Sequence, residues 1–553
     1  MVEQKVPKKL PIGIQTFENI IQDNYLYVDK TKYLVELIDD GKVYFLSRPR
    51  RFGKSLTLST FDALFSGKEE LFRGLDAEEF FGRAEYRVSP VVRLDLSQVG
   101  ASGGIDALED GLKLQVMRNA ERHSVAISAL AMKHAQTAFD ELLYRVFKAL
   151  GPAVVLIDEY DKPVLDVMHD PAKAEDVRVV MRDFYTQIKA QDASLRFVFM
   201  TGITKFSKMG VFSAMNSLED ISMEERYGTM LGYTGGELEN YFAPYIDEMA
   251  ESCGYGREEL LAEIRDYYDG FSFDGETMLY NPFSTLNLFR KKKFLNFWFE
   301  TGTPSYIAQY MKDRKLTVDE FRGVGVSRDF AASPGAIENA DAKSFLYQSG
   351  YLTLRPGVIN DYSLDYPNHE VLASMSRLLT ENILGSREEA ESAAQRVKQC
   401  LYEGSVDGFV GMLNRLLAAI PYDDYERAAR KTIEYRGYRM DAGEWLYRST
   451  LLSYLIGMGL DVEAEPHTSG GRADMRIKFK GRVWIIELKV ARGEAGAKKS
   501  ADEAMEQISS KGYAERYEGA ILLSCAIDDE RRAITEYRTN AGKPFAVDCC
   551  GKA

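Results

Sequence analysis

The stretch Leu46-Ser47-Arg48-Pro49-Arg50-Arg51-Phe52-Gly53-Lys54-Ser55-Leu56 decides the reading of the first half of the chain. It follows the apolar run Val43–Leu46, which reads as a buried strand, and it opens a helical pattern that runs through Leu64. A loop between a strand and a helix start gathers unsatisfied backbone N–H groups at the positive end of the helix dipole, so it favours an anion. Gly53-Lys54-Ser55 is the end of a Walker A loop, in which Lys54 reaches the outer phosphate oxygens of ATP and Ser55 ligates Mg²⁺. Arg50, Arg51 and Phe52 belong to the same candidate nucleotide-binding loop, with a solvated loop or an ion pair as the equal alternative for the two arginines. The full pattern asks for Gly at position 48, where this chain has Arg48 followed by Pro49. Read alone, Gly-Lys-Ser is also an ordinary helix start with a surface lysine.

The next strands shift that balance. Val91–Leu96, Ala153–Ile157 and Phe197–Met200 are short, β-branched or aromatic runs separated by helical patterns, the signature of a parallel α/β sheet. The third run ends in Asp158-Glu159, the form of a Walker B motif. Asp158 would orient Mg²⁺, and Glu159 would polarise the attacking water, with Asp161 the next acid in line. The fourth run ends in Thr201, a candidate polar sensor of the outer phosphate, and Lys205 is a weaker one.

The chain has 553 residues, so the length prior is three to four domains. Apolar residues make up 45% and charged residues 28%, which excludes wholesale disorder. A net charge of −14 argues against a uniformly basic, nucleic-acid-coating surface and leaves room for a local basic groove. The five cysteines (Cys253, Cys400, Cys525, Cys549 and Cys550) form no CxxC pair, which fits a reduced, cytoplasmic compartment. The five histidines are scattered, so a Cys/His zinc site is not expected. No apolar stretch reaches 18 residues and no signal peptide is expected, so no membrane is among the expected partners.

Residues 232–296 turn helical, acidic and rich in Tyr and Phe. Residues 342–348 followed by YLTLRPGVINDYSLDY predict a helix and a hairpin, a winged-helix-like lid. Residues 376–430 read as helical. From Ala442 the order is helix, strand, strand, strand, helix, strand, with a polar tail at Thr539–Ala553.

Within that last part, GGRADMRIKFKGRVWIIELKV (470–490) admits a register argument. Alternating residues 473–480 read as a half-buried strand, and Lys480-Gly481 makes a two-residue turn. If Phe479 pairs with Arg482, then Asp474 faces Glu487, and Lys489 lies on the same face. Two carboxylates about 5 Å apart across a sheet repel unless something neutralises them. Lys489 can compensate only one, so a divalent cation is the expected partner, and the constellation is that of metal-assisted phosphodiester hydrolysis. The bland alternative is a surface hairpin of mixed charge. Residues 471–516 carry 11 Lys/Arg against 7 Asp/Glu, a locally basic region in an acidic chain.

The stretches YVDKT (27–31), SRPRRFGKSL (47–56), VVLIDEYDKPV (154–164), TGITKFSKMGVFSAMNSLEDIS (201–222), YDGFSF (268–273) and YNPFSTL (280–286) resemble the bacterial and archaeal AAA-ATPase-like family. The resemblance covers roughly residues 8–550. It implies an α/β fold: a P-loop NTPase parallel sheet at 1–231, a helical and winged-helix-like lid at 232–375, and a restriction-endonuclease-like domain of the PD-(D/E)XK superfamily at 376–553. It also implies that Arg48 is a common replacement and that Glu444 is a further acidic metal ligand. Gln507 stands where the superfamily commonly has a glutamine, and Arg472-Ala473 replace its leading Pro. The expected cofactors are ATP and Mg²⁺. The expected partner is nucleic acid, DNA foremost, and self-assembly into a homo-oligomer is left open. The leading expectation is an ATPase controlling a Mg²⁺-dependent nuclease. An ATP-gated switch or scaffold whose nuclease-like domain only binds nucleic acid or protein is the alternative, and a plain ATPase with a vestigial tail domain is a third.

Overall fold

The computed structural model describes residues 7–168, 170–205, 218–300, 321–327, 330, 342–357, 362–384, 387–419, 432–435, 438–464, 467–468, 471–510, 517 and 519–541. His169, Cys549, Cys550 and residues 206–217 of the motif at 201–222 lie outside them. The chain divides into two compact units, Met1–Thr301 with Val324–Glu370, and Gly302–Gly323 with Val371–Ala553.

The first unit is built on five parallel strands: β1 (Val43–Ser47), β2 (Val91–Asp95), β3 (Ala153–Asp158), β4 (Leu195–Gly202) and the short β5 (Glu219–Asp220). Their order across the sheet is β2-β3-β4-β1-β5. Every residue of β3 is buried, as expected of a parallel strand covered on both faces. The sequence predicted four of these strands, but not that β4 lies between β1 and β3. That insertion fixes the site. Leu46 pairs with Thr201, and Ile157 pairs with Met200, so Ser47, Asp158 and Thr201 reach one carboxyl edge side by side.

The helix Lys54–Phe65 packs its buried Phe61 against the sheet, with ring centroids 5.2 Å from Phe197 and 5.0 Å from Phe199. Among the described residues five helices follow the sheet: Gly235–Tyr241, Ala243–Cys253, Arg257–Tyr268, Pro282–Lys291 and the short Phe297–Glu300. Their Tyr and Phe residues form a core around Phe242, Tyr268 and Phe289. The helix Ala342–Gln348 then precedes a three-stranded antiparallel sheet, in which β8 (Tyr362–Asp365) lies between β6 (Val324–Val326) and β7 (Thr353–Pro356). Helix and hairpin are those expected from the sequence. Strand β6 is an addition.

The second unit opens with the helices His369–Leu384 (continuing from its first two residues in the first unit), Arg387–Glu403 and Val406–Ala418. The hairpin β9 (Thr432–Tyr435) and β10 (Tyr438–Asp441) leads into the helix Ala442–Gly457. The main sheet has the order β11-β14-β15-β16-β17, with β11 (Asp461–Ala464), β14 (Met475–Phe479), β15 (Arg482–Ala491), β16 (Ile521–Asp528) and β17 (Ala533–Thr539). The two-residue strands β12 (His467–Thr468) and β13 (Gly471–Arg472) pair with each other. Strands β12, β13 and β17 are additions to the expected order. Strands β15 and β16 run parallel because the helix Gly493–Ser510 carries the chain back between them. Among the described residues, no helix is long and apolar enough to cross a membrane.

Phe61→Ala removes a fully buried ring from the aromatic face between helix and sheet. It is expected to lower the unfolding free energy by about 3–5 kcal/mol in urea titration. A loss below about 1 kcal/mol would mean that the face is loosely packed.

Candidate functional site

The loop Arg48–Gly53 turns from β1 into the helix through two left-handed residues, Arg51 (φ 67°) and Gly53 (φ 99°). Residue 48 is not one of them, so a glycine is not required there. Arg48 instead points inward and is 1% exposed. Its guanidinium donates to the carbonyls of Ser47 (2.9 Å), Ser222 (2.7 Å) and Tyr227 (3.2 Å) and lies 4.1 Å over the Phe273 ring. Burial pulls its pKa down to about 10. Phe52 is buried against Phe271 and Phe273, so only its backbone faces the loop's interior. The carbonyl of Arg50 accepts from Trp298 Nε1 at 3.1 Å, and Arg51 is exposed over Phe283. Neither arginine's position was readable from the sequence.

Lys54 is buried at the head of the helix, and its Nζ donates to the carbonyls of Arg48 (2.8 Å) and Pro49 (2.9 Å). Burial lowers its pKa, and the nearby Asp158, Glu159 and Asp161 oppose that shift. Ser55 follows it, half-buried. Thr201, fully buried, donates its hydroxyl to Asp158 Oδ1 at 2.9 Å, so it orients that carboxylate. Lys205 is held by Asp220 at 2.6 Å.

The three acids at the end of β3 fare differently. Asp161 Oδ2 accepts from the N–H groups of Ile203 (2.9 Å) and Thr204 (2.8 Å) and from the Thr204 hydroxyl (2.8 Å). Through that oxygen it braces the chain just past β4, while its buried Oδ1 accepts no hydrogen bond among the described residues. A Cβ at Gly202 would come within 2.5 Å of the Tyr160 ring and 2.8 Å of Asp161 Oδ1, so this brace also requires glycine there. Glu159 adopts a left-handed backbone (φ 51°), a costly conformation that concentrates at functional sites. Among the described residues, its carboxylate makes no hydrogen bond or ion pair. Burial pushes its pKa up, and Lys54 opposes that.

A slot of about 80 Å³ abuts Gly53. Tyr27, Val28, Leu231 and Tyr233 line its apolar side.

In the second unit the hairpin has the expected register: Phe479 pairs with Arg482 and Met475 with Ile486. Lys480 (φ 48°) and Gly481 (φ 78°) form its left-handed turn. Asp474 lies one residue beyond the ladder. Its N–H donates to Glu487 Oε2 at 3.2 Å, and its Oδ2 accepts from Leu488 N at 2.7 Å. Glu487 is 3% exposed, and burial, with Asp474 next, pushes its pKa up to about 8. Lys489 Nζ stands 3.6 Å from Glu487 and 3.7 Å from Glu444. Burial pulls its pKa down, but Glu444, Glu487 and Asp474 outweigh that and hold it high.

One expectation needs correction. The carboxylates do not rely on Lys489 alone: Gln507 Nε2 donates to Glu487 Oε1 at 2.6 Å, and Arg448 Nη1 stands 3.7 Å from Asp474 Oδ1. Glu444 faces Lys489, and among the described residues no three His, Cys, Asp or Glu side chains are grouped to hold a metal. Asp474 and Glu487 alone still suit Mg²⁺, which binds through one or two carboxylates and keeps water or phosphate as its other ligands.

Residues 11–212 match the model of a predicted AAA-ATPase, and residues 442–536 match the PD-(D/E)XK nuclease superfamily. A protein of Azotobacter chroococcum mcd 1, described as "Uncharacterized protein in vnfD 5'region", is 36% identical over 518 residues, 92% of this chain and 94% of its own. The chain belongs to the AAA-ATPase-like family. Two solved structures align at low scores. The Aeropyrum pernix ORC1 protein in complex with DNA covers 84% of this chain and 93% of its own at 10% identity and TM-score 0.26. The A. pernix ORC2 protein (ADPNP-ADP complexes) covers 68% and 96% at 11% identity and TM-score 0.27. At those scores neither one informs the fold or the partners of this AAA-ATPase-like protein.

Asp161→Ala strands two buried N–H donors, so it is expected to cost at least about 2 kcal/mol of stability. Glu159→Gln, at a site where burial already disfavours the charge, should stay within about 0.5 kcal/mol of wild type. Chemical denaturation of the two variants checks the division of labour, and equal losses would contradict it.

Proposed function

We propose that this AAA-ATPase-like protein binds and hydrolyses ATP in its first unit and uses that cycle to control a Mg²⁺-dependent nuclease site in its second. In this reading residues 1–231 are the ATPase domain, 232–375 its lid and 376–553 the nuclease-like domain. The Walker A residues Lys54 and Ser55, with backbone N–H groups from Arg50 to Ser55, hold the phosphates, and Arg50 and Arg51 add positive charge at the rim. Asp158 and Ser55 hold Mg²⁺, whose charge offsets that of the phosphates. The apolar slot beside Gly53 receives the base. Glu159, at the end of Walker B, takes the proton of the attacking water.

The observation that carries the nuclease half is the pair of half-buried Asp474 and buried Glu487, side by side on the hairpin with Lys489 on the same face. Asp474 and Glu487 would hold a Mg²⁺ ion, which would supply Lewis-acid activation of water and charge for the phosphate, and Lys489 would orient the attacking water. The substrate is nucleic acid, DNA foremost, drawn by the basic stretch 471–516, and the compartment is the cytoplasm. One observation favours the alternative, an ATP-gated binding switch. Lys489 and Arg448 already offset much of the carboxylate charge and Gln507 donates a hydrogen bond to Glu487, so the fold does not require metal.

Incubation of the full chain with supercoiled plasmid and Mg²⁺, with and without ATP, separates the two. Nicking that disappears in Glu487→Gln supports the nuclease, and plasmid retention without cleavage in wild type supports the switch. Lys54→Ala is expected to weaken ATP binding about tenfold or more by calorimetry. Glu159→Gln should bind ATP normally and release phosphate on the order of 100-fold more slowly. Normal turnover in that variant would remove Glu159 from the chemistry.

A further inference from the structure

The helix Ala442–Gly457 places Glu444 and Arg448 one turn apart, hence on one face. Glu444 stands 3.7 Å from Lys489, and Arg448 stands 3.7 Å from Asp474. The helix therefore crosses its charges with those of the hairpin. Arg448 is only 3% exposed, so its attraction for Asp474 is weakly screened by solvent. At 3.7 Å the contact is an ion pair but too long for a hydrogen bond, so it binds by charge and not by a forked geometry. Asp474 Oδ2 is occupied by Leu488 N, and Oδ1 is the oxygen that Arg448 faces.

We infer that Arg448 is a positioning residue that stands in for the cation at the second site. It holds Asp474 in place in the metal-free protein and thereby weakens divalent-metal binding. The inference rests on reading Asp474 and Glu487 as a metal pair. Arg448 and Lys489 set against Asp474, Glu487 and Glu444 give a formal charge of −1. Without Arg448 the same group carries −2. A divalent cation meets more attraction and less repulsion in the second case, while the metal-free fold loses a counter-ion for the half-buried Asp474. Arg448 thus lowers the metal affinity of the substrate-free site without abolishing it, and a second attraction, such as substrate phosphate, adds to the metal's hold.

Mn²⁺ titrated calorimetrically into the nucleotide-free full chain tests this. In Arg448→Met and Arg448→Gln the Kd is expected to fall about tenfold, and the metal-free melting temperature is expected to drop. A purely structural role would lower the melting temperature without tightening metal binding. Glu487→Gln should bind Mn²⁺ at least about tenfold more weakly than wild type. If it does, and the Arg448 variants bind no tighter than wild type, the assignment of Arg448 is overturned and the metal site stands. If Glu487→Gln binds as wild type does, or wild type binds no Mn²⁺, the metal reading fails and Arg448 loses its role with it. Should neither neutral variant fold, Arg448→Lys keeps the charge and is expected to hold the Kd within about twofold of wild type. A tenfold shift there would mean that packing, not charge, sets the affinity.

Discussion

Burying a carboxylate is the constraint around which both units are arranged. An ionised carboxylate taken out of water costs several kcal/mol unless donors or cations replace its hydration. The protein answers in three ways. Asp161 is given three donors from the chain past β4 and becomes part of the scaffold. Asp158 is given one hydroxyl, that of Thr201, and stands near enough to Lys54 to act on its charge. Asp474 and Glu487 are given backbone N–H groups, an amide and two cations at longer range. The less completely a carboxylate is matched by hydrogen bonds from the protein, the more it has left for an ion from outside.

The sheets set up these differences. In the first unit, strand β4 between β1 and β3 brings Thr201 beside Asp158 and lets Asp161 reach over to residues 203 and 204. In the second, the tight turn at Lys480-Gly481 fixes the pairing of β14 with β15, and that pairing alone decides that Asp474 meets Glu487. A slip of one residue would put Glu487 and Lys489 together on the face opposite Asp474. Backbone register, more than any single contact, is what makes chemistry available at these positions.

The same distinction explains what was legible in the sequence. The hairpin register could be worked out by counting from the turn, because antiparallel pairing is local and side chains alternate strictly. The strand–loop–helix around Gly53 was legible for the same reason. Arg48 was not, since the missing glycine looked like a defect in the loop. The structure shows that the left-handed bends fall at Arg51 and Gly53, and that Arg48 holds the carbonyls of Ser222 and Tyr227, far along the chain. Glu159 and Asp161 are two residues apart and look alike in sequence. Only the position of β4 tells the base candidate from the brace. Arg448 was missed because its partner lies 26 residues away, across a helix and a sheet, and nothing in the local pattern of an apolar helix marks a buried arginine as paired.

The account can be tested directly by locating Mn²⁺ through its anomalous scattering in crystals of the full chain grown with a non-hydrolysable ATP analogue. Peaks are expected within about 2.5 Å of carboxylate oxygens at two places, Asp158 near Ser55 and the Asp474–Glu487 pair, and none at Asp161. A peak at Asp161, or an Asp474–Glu487 pair that stays bare in saturating Mn²⁺, would contradict the claim that incompletely matched carboxylates mark the sites of chemistry in this protein.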